Sequence, residues 1–303
     1  MQVRVLGSAA GGGFPQWNCN CRLCDGLRRG TVNARARTQS SIALRGDGED
    51  WLLCNASPDL LTQLRQAPAL QPARAVRDTG IGAVLLMDAQ IDHVTGLAML
   101  REHQRPLEIW CTAEVRGDLE TANPLFRLLQ HYCGIDWRCI EPGREFSIPT
   151  VPGLSLRALP IESNAPPYSS RRDRPAVGDN IALWAQGASG AGLFYAPALA
   201  EANEGVRNAM REAACVMVDG TCWTDDEMIA LGLSRKTARA MGHRAISGDD
   251  GMLDWLETLP PRTRRILIHV NNTNPVLDED GPEHAALVAA GVELAHDGLE
   301  FTL

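Results

Sequence analysis

The chain is 303 residues long, and its 29 Lys and Arg against 37 Asp and Glu give a net charge of −8, which argues against a nucleic-acid partner. It holds no run of about 18 apolar residues, so no membrane-spanning helix is expected, and the N-terminus lacks the apolar stretch of a secretory signal. The expectation is one α/β domain over residues 1–303 in the cytoplasm, with nine cysteines used for metal ligation and burial rather than disulfides.

Residues 3–6 read as a first strand entering Gly7-Ser8-Ala9-Ala10-Gly11-Gly12-Gly13, whose glycines open backbone conformations closed to other residues. The spacing matches neither a P-loop nor a dinucleotide fingerprint, so the loop is expected to bring backbone close to a site or its substrate. Cys19, Cys21 and Cys24 follow within six positions. Thiols this close wrap one soft cation, here a structural Zn²⁺ with a fourth ligand from elsewhere; a cluster of merely buried thiols is the alternative. Residues 41–44 and 51–55 flank Gly46-Asp47-Gly48 and spell a hairpin, after which Ser57-Pro58 opens a helix through Leu60, Leu61 and Leu64.

The chain is organised around Ala83-Val84-Leu85-Leu86-Met87, an apolar run suited to a strand buried on both faces, and the Asp88-Ala89-Gln90-Ile91-Asp92-His93 that ends it. Adjacent Asp92 and His93 would point apart on a regular element, so an irregular loop is expected if both reach one metal. Val94, Leu97, Ala98 and Leu100 then carry helical spacing. Residues 107–111 read as the next strand and 114–120 and 125–132 as helices. A second round of strands follows at 154–161, 181–184 and 193–195, then a helix over 207–214.

The proline-rich, polar stretch 163–175 reads as either a lid or a solvated surface loop, and as a lid its Tyr168 and Arg171 would suit an anionic aromatic ligand. Residues 215–218 run into Asp219, and 266–268 into His269. Three buried strands ending in Asp or His would, in a parallel sheet, deliver those groups to one edge, so Asp92, His93, Asp219 and His269 form a candidate metal set. Ordinary strand-end capping is the alternative. His243 is placed as a base or substrate contact, and Ser247 or Asp249 as the N-cap of a helix through Leu253, Trp255 and Leu256.

This arrangement resembles the metallo-β-lactamase superfamily, whose His-x-His-x-Asp-His signature lies between a strand and a helix. Only Asp92 and His93 match that signature; Asp88 and Gln90 stand where its first two His residues would be. The resemblance implies a four-layer αββα sandwich and, with the first metal site dismantled, a single catalytic metal. Phosphodiesterases of the phosphonate pathway in that superfamily carry a similar Cys-x-Cys-x-x-Cys and close it with a His after the last catalytic strand, a place that Asn272 occupies here.

Eight stretches, among them residues 7–19, 55–58, 163–168, 178–180 and 269–275, further resemble a family of pyrroloquinoline quinone (PQQ) biosynthesis proteins within the superfamily. That resemblance implies a role in building PQQ from a Glu and a Tyr of a small precursor. The leading expectation is an oxygenase that hydroxylates the tyrosine-derived ring. In it Asp92, His93, Asp219 and His269 hold Fe²⁺, O₂ is co-substrate, and Ser163, Asn164, Tyr168, Arg171 and His243 contact the precursor, while Asp88 and Gln90 either contact it too or stand behind the ligands rather than binding the metal. The alternatives are a non-catalytic carrier of PQQ or its precursor, and a hydrolase holding Zn²⁺ at the same ligands. Homodimer formation and contacts with other proteins of the pathway stay open.

Overall fold

A computed structural model describes residues 1–303. The first half of the chain forms β1 (Gln2–Gly7), β2 (Ser41–Arg45), β3 (Trp51–Cys54), β4 (Ile81–Leu85), β5 (Leu107–Cys111) and β6 (Ile135–Cys139). The second half forms β7 (Glu145–Phe146), β8 (Ser155–Pro160), β9 (Ile181–Gln186), β10 (Gly192–Ala196), β11 (Cys215–Asp219), β12 (Arg264–Ile268), β13 (Glu293–Leu294) and β14 (Glu300–Thr302). They build two seven-stranded sheets, ordered β14-β1-β2-β3-β4-β5-β6 and β13-β12-β11-β10-β9-β8-β7.

The apolar runs have no polar interruption because both sheets are covered on both faces. On β4 and its continuation, Ala83, Leu85 and Met87 point into the core between the sheets, whereas Val84 and Leu86 point outward onto a second core with Trp51 and Leu53. On β11, Met217 points inward and Val216 and Val218 outward, and on β12 Ile266 and Ile268 take the inner face and Leu267 the outer. Strand alternation thus sorts one apolar run into two cores. Helices complete the outer cores: Leu60, Val115, Leu119, Phe126 and Leu129 on the first sheet, and Val206, Met210, Trp255, Leu256 and Leu287 on the second. The result is the expected αββα sandwich.

Several local expectations are corrected. The strands that end in the candidate ligands do not share one sheet: β11 and β12 are parallel neighbours in the second, but β4 lies in the first, and the face-to-face packing brings their ends together. No continuous α-helix runs through 94–100. A single α-helical turn, Ile91–Val94, passes into 3₁₀ geometry over Thr95–Leu100. The cause is competition for backbone groups: the His93 carbonyl accepts from Ala56 N at 2.7 Å, and Gly96 N donates to Ala56 O at 2.9 Å. The His93 carbonyl is therefore engaged by a bond from outside the helix. The helix Met252–Glu257 starts from Gly251 with no side-chain cap, so neither Ser247 nor Asp249 caps it. Asp250 instead binds Trp255 Nε1 at 2.7 Å and Arg244 Nη1 at 2.8 Å.

Gly96 is required by close approach, since a Cβ there would overlap Ser57 O and crowd Ala56 O at 2.8 Å. Gly96→Ala is expected to lower stability by about 2 kcal/mol or more through overpacking against backbone, seen in urea unfolding as a lower midpoint with an unchanged slope. An unchanged midpoint would show that this contact does not constrain the turn.

Candidate metal centre

The chain leaves β4 through Met87, whose N–H donates to the Asn55 side chain at 3.0 Å. Asn55 closes β3 with φ 62°, and His269 leaves β12 with the same φ of 62°. Left-handed backbone at residues other than glycine is held only by its surroundings and gathers at functional sites.

The short turn Ile91–Val94 carries both first-sheet ligand candidates, so an irregular loop is not needed to bring them together. Asp92 Oδ2 lies 3.2 Å from His269 Nε2 and 3.9 Å from His93 Nε2. Asp92, His93 and His269 offer one ligand atom each within 4.8 Å of one another. The buried Nε2 of His93 has no hydrogen-bond partner. An orphaned nitrogen facing a carboxylate and a second imidazole fits a cation, and two His with one carboxylate suit a divalent transition metal that keeps open positions.

A second cluster shares His269. Asp219, His243 and His269 also converge within 4.8 Å. His243, expected as a separate base or substrate contact, stacks on His269 with ring centroids 5.3 Å apart, and its Nδ1 is 2.9 Å from Asp219 Oδ2. Asp219 is heavily engaged: Oδ2 also accepts from Leu199 N at 3.0 Å, and Oδ1 from Thr221 N at 3.0 Å and Thr221 Oγ1 at 2.6 Å. Thr221 Oγ1 further lies 3.0 Å from His269 Nδ1. That leaves His269 Nε2 toward Asp92.

Charge balance follows from this geometry. Burial acts to raise the Asp92 carboxyl, but the imidazoles of His93 and His269 outweigh it and hold it well below the usual carboxylate range. Burial acts to lower His93, and the carboxylates of Asp88 and Asp92 overcome it, raising the imidazole to about 9. His243 is likewise raised against burial by Asp219, whereas burial lowers His269. A bound cation takes the place of the protons these groups would otherwise hold.

Other expected substrate contacts are engaged within the protein. Asp88 faces His93, whose Nδ1 lies 2.8 Å from its Oδ1. The Tyr168 hydroxyl donates to Ala89 O, pinning the 163–175 stretch to the turn before Asp92. Arg171 pairs with Asp179 at 2.8 Å and Asp118 at 3.0 Å, so it braces that stretch from below. Asn164 Nδ2 donates to Ala240 O at 3.4 Å, and Ser163 with Asn164 borders a cavity of about 560 Å³ that reaches Gly242, next to His243. Gln90 is half-buried, and its backbone N–H donates to Asp88 Oδ1 at 2.8 Å. The glycine loop does approach the site: a Cβ at Gly11 would lie 3.3 Å from Asp92 Oδ2.

The three clustered cysteines also converge, with their sulfurs within 4.8 Å of one another. Asn272 is buried beside them, its Nδ2 3.3 Å from Cys24 Sγ and 3.9 Å from Cys21 Sγ. A turn of its carboxamide would direct the oxygen there instead, so three sulfurs and one amide oxygen make a donor set that fits Zn²⁺. Burial pushes the Cys24 thiol up to about 11, which favours the protonated form when no cation is bound.

The fold and these clusters define a beta-lactamase superfamily protein, and the description "Beta-lactamase superfamily domain" matches residues 50–270. The chain is 64% identical to the coenzyme PQQ synthesis protein B of Azoarcus sp. strain BH72 over the full length of both, and 60% identical to that of Cupriavidus necator over 99% of each. The crystal structure of Zn²⁺-bound PqqB from Methylobacterium extorquens superposes with a TM-score of 0.91 at 36% identity, covering 100% of both chains. This chain belongs to the coenzyme PQQ synthesis protein B family.

Cys21→Ser is expected to remove one equivalent of bound zinc from the purified protein and to lower its melting temperature. Elemental analysis with a thermal melt checks this, and unchanged zinc content would make the cluster a set of buried thiols.

Proposed function

We propose that this chain acts in PQQ synthesis as an iron-dependent oxygenase that hydroxylates the tyrosine-derived ring of a Glu-Tyr type precursor. The observation that carries the reading is the convergence of Asp92, His93 and His269, two imidazoles and one carboxylate, with an unpartnered His93 Nε2. A donor set of two imidazoles and one carboxylate would suit Fe²⁺ and O₂. Asp92, His93 and His269 would hold Fe²⁺, which would supply reversible redox chemistry for activating O₂ without being consumed.

The chain's own groups do the rest. Asp219 holds His243 through Nδ1, leaving the other ring nitrogen to take the proton of the substrate hydroxyl. Tyr168 and Arg171 fasten the covering stretch and limit water. One oxygen atom of O₂ enters the ring and the other leaves as water. The two further electrons come from the ring itself when the product is an ortho-quinone, or from an added reductant such as ascorbate when it is a catechol.

A second reading, a zinc-dependent hydrolase, draws on the Zn²⁺ of the Methylobacterium extorquens protein. A non-catalytic carrier of PQQ or its precursor is the third. Anaerobic reconstitution with Fe²⁺, followed by O₂ and a Glu-Tyr type precursor, separates the three. The expected result is oxygen uptake with one oxygen atom gained by the substrate, absent with Zn²⁺ and abolished in His93→Ala and His269→Ala. Oxygenation that survives in His93→Ala overturns the site assignment. Cleavage supported by Zn²⁺ establishes the hydrolase, and a stoichiometric complex without oxygen consumption establishes the carrier.

A further inference from the structure

Asp88 is buried to 3% exposure and His93 to 1%, so each must find its partner inside the protein. His93 Nδ1 lies 2.8 Å from Asp88 Oδ1 and 2.9 Å from Oδ2, and Oδ1 also accepts from Gln90 N at 2.8 Å. The carboxylate is therefore engaged by two donors of its own turn, on the side of the His93 ring opposite the bare Nε2. The imidazole, in contrast, is satisfied at one nitrogen only, and the other is buried and bare.

We propose that Asp88 is the positioning residue of the metal centre: by binding the Nδ1–H of His93 it fixes the tautomer that presents the Nε2 lone pair to the cation. The inference rests on the reading that Asp92, His93 and His269 hold the metal, and it does not depend on the reaction carried out there. A neutral imidazole has one proton to place. With a carboxylate at Nδ1 the proton belongs there, and the ring orientation is set by the six-residue segment Asp88–His93 closed on itself. The carboxylate also adds negative charge behind the ligand and raises its donor strength, an effect of outer partners that is worth about 10–100-fold in metal affinity.

Asp88 acting as a ligand itself is disfavoured by the same contacts. Turning it to the cation would strip His93 Nδ1 and Gln90 N of their acceptor in a buried place. The side chain at the head of the Asp88-Ala89-Gln90-Ile91-Asp92-His93 run thus supports one metal rather than recruiting a second.

The test uses the full chain with Co²⁺ as the probe, because thiolate charge-transfer bands report the cysteine cluster and the weaker visible bands report the His/Asp centre. Asp88→Ala is expected to weaken Co²⁺ at the His/Asp centre by about 10–100-fold while the thiolate bands titrate as in the parent, showing an intact fold. Asp88→Asn keeps an acceptor for Nδ1–H but no charge, and is expected to fall between the two. In the Zn²⁺-loaded parent and in Asp88→Asn, ¹⁵N NMR of His93 should show a protonated Nδ1. Parent-like affinity in Asp88→Ala, or a metal-bound Nδ1 in the parent, overturns the proposal. If Asp88→Ala loses the thiolate bands through misfolding, Asp88→Asn decides by the same two readouts. Loss of oxygenation in the parent would fall on the reaction and leave these readouts untouched.

Discussion

The face-to-face packing of the two sheets is the constraint on which the rest depends. Leu85 and Met87 from the first sheet and Met217, Ile266 and Ile268 from the second share one dry core. Each sits within a few residues of a polar group at the site, so apolar contact fixes where the polar groups emerge. The ends of β4, β11 and β12 can meet only at the rim of this core, and the outer cores leave the strands no freedom to rotate. Burial of this kind is worth about 1.5–3 kcal/mol for each large side chain, and it holds the centre in register before any cation arrives.

At that rim, polar groups are placed by bonds to one another rather than by solvent. Thr221 touches Asp219, His243, the ring of His269 and the carbonyl of His269 through a single hydroxyl. Its chain position two residues after Asp219 makes this possible, because the turn returns its side chain over the strand end. Asn274 reinforces the same turn by donating to Gly220 O at 3.0 Å and Thr221 O at 3.2 Å. The imidazoles are thus oriented from behind.

Much of this was legible in the sequence. Uninterrupted apolar runs ending in Asp or His identified β4, β11 and β12, since burial on both faces leaves a signal that needs no neighbour to interpret. The edges were harder: 135–139, 145–146, 293–294 and 300–302 were not anticipated, being short or charged strands defined by pairing alone. The helix Pro282–Ala289 escaped because Leu287 is its only buried residue. Within the site, His243 carries no periodic signal, and only the fold shows that a residue 24 positions from Asp219 lies against it. For Asp88 the sequence left a substrate contact and a place behind the ligands both open, because only the turn shows the carboxylate folded back onto His93.

The loop after β12 places His269 and Asn272 only three positions apart, the first at the imidazole-carboxylate cluster and the second buried against Cys21 and Cys24. The thiol cluster also grips this loop through Cys21 Sγ and Asn272 O, 3.7 Å apart. One short segment is thereby tethered at both ends, like a string between two pegs. The sulfur cluster and the imidazole cluster therefore share one segment, and the position of Asn272 bears on that of His269 through three peptide units.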